Sequence, residues 1–239
     1  MNYMKNAFIK RIYGWLLREE RILAIEQIFV RDYIVDKRMM ALDWNRDWNI
    51  ISMGEYIRTS SLELIAKEIY EKNISGSVAE LGVWRGEFAS RINCSFPDRK
   101  IYLFDTFEGF DVRDAEIERV RQYSTAQQDF SQTSIDLVLG KMPYKQKCII
   151  KKGYFPNSLE GLEDHFCFVS IDADLFQPTY EGLRYFYPRL TDGGYIFIHD
   201  YNNMEYKGVK EAVRLFSGEM QISYFPLSDP YGTAVICKP

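Results

Sequence analysis

Two apolar runs of this 239-residue chain end in groups that bind protons and cations: residues 168–174 read FVSIDAD, and residues 195–200 read YIFIHD. A buried strand that closes on carboxylates needs a reason, because charge is costly to hold near apolar surroundings. Asp172 and Asp200 would bring hard oxygen donors together from two strand ends, a set that suits Mg²⁺. His199 adds a nitrogen donor, so Mn²⁺ or another divalent ion also fits. The candidate metal ligands are therefore Asp172, His199 and Asp200. Asp174 has two readings. In an extended strand it shares a side with Asp172; if the chain turns after Asp172, the two separate and take different tasks. A structural alternative is that Asp172 and Asp200 merely cap the helices that follow, TYEGL and VKEAV.

A second cluster lies upstream, in Glu80-Leu81-Gly82-Val83-Trp84-Arg85-Gly86. Glycines at a strand-to-helix turn let backbone pass close to a ligand, and the helix N-terminus offers N–H groups to an anion. Asp105 ends the next apolar run, KIYLFD, where an acidic residue can accept ribose hydroxyls. It can equally be a helix cap or turn residue. The loop lacks the third glycine of a dinucleotide fingerprint and has less room for a pyrophosphate. Adenosine carrying an amino acid, S-adenosylmethionine, is the expected cofactor.

The elements that must position these groups are legible as alternating units. A helix is predicted over SSLELIAKEIYEKN, capped by Ser60 or Ser61. Strands follow at SVAELGV, KIYLFDTF, KCIIKKG, FCFVSIDAD and GGYIFIHDY. Helices are predicted at WRGEFASRINCSF, IDLVLGKM, NSLEGLEDH, TYEGLRYFYPRL and YKGVKEAVRLFSG. Two last apolar runs flank Ser228-Asp229-Pro230-Tyr231-Gly232 as a hairpin. Alternation of this kind gives an α/β fold with a mostly parallel sheet, covered by helices on both faces. Ligands in such sheets sit beyond the carboxyl ends of the strands, where all the candidate residues fall. Residues 1–58 are read as a helical extension or lid and 59–239 as the main domain. Within the extension, 4–18 is read as an amphipathic helix that packs on its own domain or on a partner subunit, with a basic helix lying on a membrane surface as the alternative; the apolar N-terminal helices suggest a homodimer or higher homo-oligomer. The polar stretch 107–131 is read as an active-site wall or lid, and Trp44 and Trp48 as groups that either close over the acceptor or anchor the extension.

Composition narrows the classes. The formal charge is −4, with no basic excess for nucleic acid. No apolar run is long enough for a bilayer span, and the N-terminal stretch, its apolar residues interrupted by charges, does not read as a secretory signal. Four cysteines without a paired spacing, and two histidines, argue for free thiols in a cytoplasmic protein and against a zinc site.

The segments GSVAELGVWRGEFA, YLFDTFEGF, KKGYFPNSL and FVSIDADLFQPTYEGLRYFYPRLTDGGYIFIHDYNN, with TSSLELIAKEIY before them, resemble the macrocin O-methyltransferase (TylF-type) family of class I S-adenosylmethionine-dependent enzymes. The resemblance implies a Rossmann-like class I methyltransferase fold: seven strands, the last antiparallel. It implies a divalent metal, usually Mg²⁺, and methylation of a sugar hydroxyl in a glycan, a nucleotide-sugar or a glycosylated natural product. It assigns Glu80, Gly82 and Gly86 to the methionine end of the cofactor, Asp105 to its ribose, and Gly153 and Tyr154 to the neighbourhood of the adenine. Asp172 and Asp200 become metal ligands and Asp174 the general base, with an ordinary carboxylate pKa of ~4. The chain departs from the pattern at His199-Asp200, where well-known members carry two adjacent aspartates. A catechol-type small-molecule O-methyltransferase and, further off, a metal-dependent hydrolase are the alternative readings.

Overall fold

The computed structural model describes residues 56–239. The amphipathic stretch 4–18, Trp44 and Trp48 lie outside the described residues. Helix α1 (Tyr56–Glu71) leads into β1 (Ser77–Leu81), α2 (Glu87–Ser95) and β2 (Ile101–Asp105). Next come α3 (Val112–Arg121), α4 (Ile135–Lys141), β3 (Cys148–Lys152) and β4 (Phe166–Ile171). The chain ends with α5 (Phe176–Arg189), β5 (Leu190–Ile198), α6 (Lys207–Met220), β6 (Phe225–Pro226) and β7 (Ala234–Cys237). The sheet has seven strands in the order β3-β2-β1-β4-β5-β7-β6. β1 to β5 pair in parallel, and β7 runs antiparallel to β5. The expected mostly parallel sheet with an antiparallel last strand is therefore present.

Alternation along the strands sorts the core into two layers. Val78, Ile101, Leu103, Phe168 and Phe197 pack with Leu62 and Ile69 of α1, Phe88 and Ile92 of α2, and Val138 of α4. Leu81, Phe104, Val169, Ile171 and Ile198 pack with Leu183 and Phe186 of α5 and with Val209 and Phe216 of α6. Both faces of the parallel strands are buried, which is why their sequences read as continuous apolar runs.

Several boundaries differ from those read off the sequence. Ser60 and Ser61 lie inside α1 instead of capping it. Arg58 and Thr59, just before them in the helix, are both buried. NSLEGLEDH forms one 3₁₀ turn, Asn157–Leu159, and no α-helix. Gly161 follows at φ +68, a left-handed conformation that cannot continue a helix. The stretch 107–131 contains α3, whose Asp111 side chain accepts from the Arg113 N–H as an N-cap. The cysteines are free as expected, but Cys94 and Cys237 are exposed.

Gly82 is fixed by the crossing of two backbones. It sits at φ +86, and a Cβ there would lie 2.0 Å from the carbonyl oxygen of Asp172. Gly82→Ala is expected to cost roughly 3 kcal/mol and about 10 °C in melting temperature, combining left-handed strain with an unrelievable clash. A thermal melt of the variant measures this, and an unchanged midpoint would contradict the crossing.

Candidate active site

Backbone register builds the site. Leu81 pairs with Phe104 on one side and Ile171 on the other, and Ile171 pairs with Ile198. The next residue of each strand therefore falls in one row: Asp105, Gly82, Asp172 and His199. The ladder continues past the strand ends, with Gly82 N–H donating to Phe104 O and Asp172 N–H to Leu81 O. His199 N–H likewise donates to Ile171 O.

At the β4–β5 end of this row, ligand atoms of Asp172, His199 and Asp200 all lie within 4.8 Å of one another. His199 Nδ1–H is shared between Asp172 Oδ1 at 3.0 Å and Asp200 Oδ2 at 3.1 Å. Asn203 Nδ2 donates to Asp200 Oδ1 at 2.8 Å and fixes its other oxygen. Arg58 Nη1 donates to Asp172 Oδ2 at 2.9 Å. Burial would raise the Asp172 carboxyl, but the charges and hydrogen bonds of His199 and Arg58 outweigh it and hold it well below the usual range. For His199, burial and Arg58 oppose protonation, and Asp172 and Asp200 outweigh them, so the imidazole rises to about 10. An imidazolium thus stands between two carboxylates. Two oxygen donors and one nitrogen donor at this spacing fit a divalent cation, which would compete with that proton.

The chain turns after Asp172. Asp174 is at φ +59 and Asp200 at φ +57, in the left-handed region that Asp tolerates better than most residues. Asp172 and Asp174 consequently separate: Asp172 joins His199, and Asp174 lies outside the three-ligand cluster. Burial, then the neighbouring Asp200 and Asp172 carboxylates, push the Asp174 carboxyl well above the usual range. The expectation of an ordinary carboxylate there is corrected: desolvation and then nearby like charges favour its protonated form. The capping alternative for Asp172 and Asp200 fails. α5 is capped at Leu175 and α6 at Tyr206, each without a side-chain cap bond.

On the β1–β2 side, Asp105 is a loop organiser. Its Oδ2 accepts from the N–H groups of Val83 at 2.8 Å and Trp84 at 2.7 Å, and its Oδ1 from Phe107 N–H at 2.6 Å. This combines the turn role with a clamp on the glycine loop. Gly86 caps α2 at φ 80, and a Cβ there would press on Val138 and Met142. Glu80 is buried, its Oε2 has no hydrogen-bond partner among the described residues, and burial pushes its carboxyl well up. Gly153 is tied to the same edge by its N–H to Asp105 O, at φ +133 and with open space where a Cβ would be. Tyr154 donates to Asp114 Oδ1 at 3.0 Å beneath the guanidinium of Arg113, 3.6 Å from its ring centroid.

The sequence of the macrocin-O-methyltransferase (TylF) family matches residues 4–236. The chain belongs to this family. It is therefore an O-methyltransferase, and its sheet is that of class I methyltransferases. A curated relative from Streptomyces olivaceus, 8-demethyl-8-(2,3-dimethoxy-alpha-L-rhamnosyl)-tetracenomycin-C 4'-O-methyltransferase, is 24% identical over 207 residues, 81% of this chain and 78% of the relative. The solved structure of the O-methyltransferase NovP is similar at TM-score 0.59 and 20% identity, covering 76% of this chain and 79% of that one. The O-methyltransferase TomG from Streptomyces achromogenes, solved in complex with SAM, is similar at TM-score 0.51 and 12% identity, covering 86% and 96%.

Reading the sequence passes over two side chains of the site's surroundings. Arg58 sits upstream of every recognisable motif. Glu118 is fully buried, and its Oε1 accepts the Phe176 N–H at 2.7 Å, serving as a remote cap for α5. Neither carries a spacing signal, since each meets its partner only in the folded chain. Asp105→Ala is expected to release the Val83, Trp84 and Phe107 amides and speed their hydrogen exchange by roughly tenfold or more. Exchange unchanged at all three would show that the clamp is not what holds the loop.

Proposed function

We propose that this O-methyltransferase transfers the methyl group of S-adenosylmethionine to a hydroxyl of a sugar, in a glycan, a nucleotide-sugar or a glycosylated natural product, with a divalent cation at Asp172, His199 and Asp200. The observation that carries this reading is the convergence of those three ligands within 4.8 Å, in the same row of strand ends as Gly82 and Asp105. The rhamnosyl acceptor in the relative's name supports a sugar. A bound cation supplies positive charge that acidifies a sugar hydroxyl and counters the repulsion among the carboxylates.

The chain's own residues do the rest. Glu80 Oε2, buried and without a partner, meets the cofactor's ammonium group. Gly82 and Gly86 keep the loop free of side chains where the backbone approaches the ligand. Asp105 accepts three N–H bonds and retains acceptor capacity for a ribose hydroxyl. Gly153 leaves room beside Tyr154 for the adenine. Asp174 accepts the acceptor's hydroxyl proton as the oxygen takes the methyl group in line.

Calorimetric titration with S-adenosylmethionine, with and without Mg²⁺ or Mn²⁺, tests the reading. Micromolar binding that Asp105→Ala weakens at least tenfold is expected; no binding under any condition would remove it. Asp174→Asn is expected to lower turnover about 100-fold or more while cofactor affinity stays within a factor of two or so, as for loss of a general base. Full activity in that variant would take Asp174 out of the base role.

A further inference from the structure

Arg58 is a cation that no motif announces, and it is only 2% exposed. A buried guanidinium persists only when it is paired and hydrogen-bonded. Nη1 donates to Asp172 Oδ2 at 2.9 Å, and Nη2 to Ser170 Oγ at 3.0 Å. The group lies over the Phe88 ring, 3.6 Å from its centroid. Ser170 and Glu80 are paired neighbours on β4 and β1, so Arg58 rests on the face shared by Glu80 and Asp172. The charge of Arg58 also opposes the rise of the buried Glu80 carboxyl.

The consequence lies in how Asp172 is divided. Arg58 occupies Oδ2, while Oδ1 faces His199. We propose that Arg58 is a positioning residue: by holding Asp172 Oδ2 it presents Oδ1, and only Oδ1, to the cation between Asp172, His199 and Asp200. This rests on the proposed reading of that cluster as a cation site. The fork is what the task needs. One guanidinium plane reaches Ser170 on the strand and Asp172 just beyond it, so the carboxylate cannot rotate without breaking an anchored bond. A lysine keeps the charge but, as a single point donor, loses the two-armed geometry. The Phe88 ring beneath fixes the plane of the fork through a cation–π contact.

The experiment is titration of the full chain with MnCl₂, followed by calorimetry or by the electron paramagnetic resonance of free Mn²⁺, for the wild type, Arg58→Lys and Ser170→Ala. In Arg58→Lys the Mn²⁺ dissociation constant is expected to rise about tenfold or more, in the range found for groups that orient metal ligands. Ser170→Ala, which removes one anchor and leaves the ion pair, is expected to raise it by roughly threefold. Turnover of Arg58→Lys should recover as Mn²⁺ is raised, which a merely structural role would not give. Wild-type Mn²⁺ affinity in Arg58→Lys overturns the proposal. Should Arg58→Lys fail to fold, unchanged affinity in Ser170→Ala overturns it instead. Absence of Mn²⁺ binding by the wild type itself removes the cation site, and this inference with it. Binding that survives unchanged in the variants removes the inference alone.

Discussion

Crowding of carboxylates at one sheet edge is the constraint on which the site depends. Strand register and the turns just past β4 and β5 bring Asp172, Asp174 and Asp200 near one another, and like charges about 4 Å apart repel by roughly 4 kcal/mol at a typical effective dielectric. Two basic groups answer them, one from outside the row and one within it. Arg58 comes from α1 and binds Asp172 Oδ2; His199 comes from β5 and bridges Asp172 to Asp200. The remaining imbalance falls on Asp174, whose carboxyl is pushed up by burial and by the other two. A cluster poised in this way accepts a further positive charge more readily than it tolerates the loss of one.

The same edge is maintained by contacts that leave little tolerance in the backbone. Gly82 passes so close to the Asp172 carbonyl that no side chain fits. Asp105 accepts from the amides of the glycine loop, so that loop is tied to the end of the second strand. On the other side of the sheet, Glu118 reaches from α3 to the N-terminus of α5. Gly208 makes room for it, since a Cβ there would lie 2.4 Å from Glu118 Oε1. The stretch 107–131 is thereby tied to α5. Tyr206, at the N-terminus of α6, donates to Gln128 of the same stretch, and its phenol is raised by burial and then by Asp174 and Asp200. The stretch 107–131 is thus a packed element with defined anchors.

His199 is where this chain parts from the two adjacent aspartates named in the family resemblance. The carboxylates of Asp172 and Asp200 favour the protonated form of an imidazole in that position, whereas a further carboxylate there would add like-charge repulsion. Under the proposed reading of the cluster as a cation site, it would also replace an oxygen donor by nitrogen.

How much of this was legible beforehand follows from which physical signals are local. Strand and helix alternation, the two apolar runs ending in acidic groups, and the glycine loop are written in neighbouring residues, because burial on both faces of a parallel sheet forces continuous apolar runs and tight turns force glycine. That sufficed for the fold and for Asp105, Asp172, His199 and Asp200 on one edge. It did not suffice for the division of labour. Whether Asp172 and Asp174 act together turned on a left-handed residue after the strand, which an Asp permits but does not require. The remote cap from Glu118 and the counter-charge from Arg58 both arise between residues far apart in the chain. Arg58 and Asp172 meet because α1 packs on the face of the sheet where Ser170 and Glu80 lie. Only packing brings a guanidinium and a carboxylate from such distant positions out of water together, and nothing in the residues flanking either one records it.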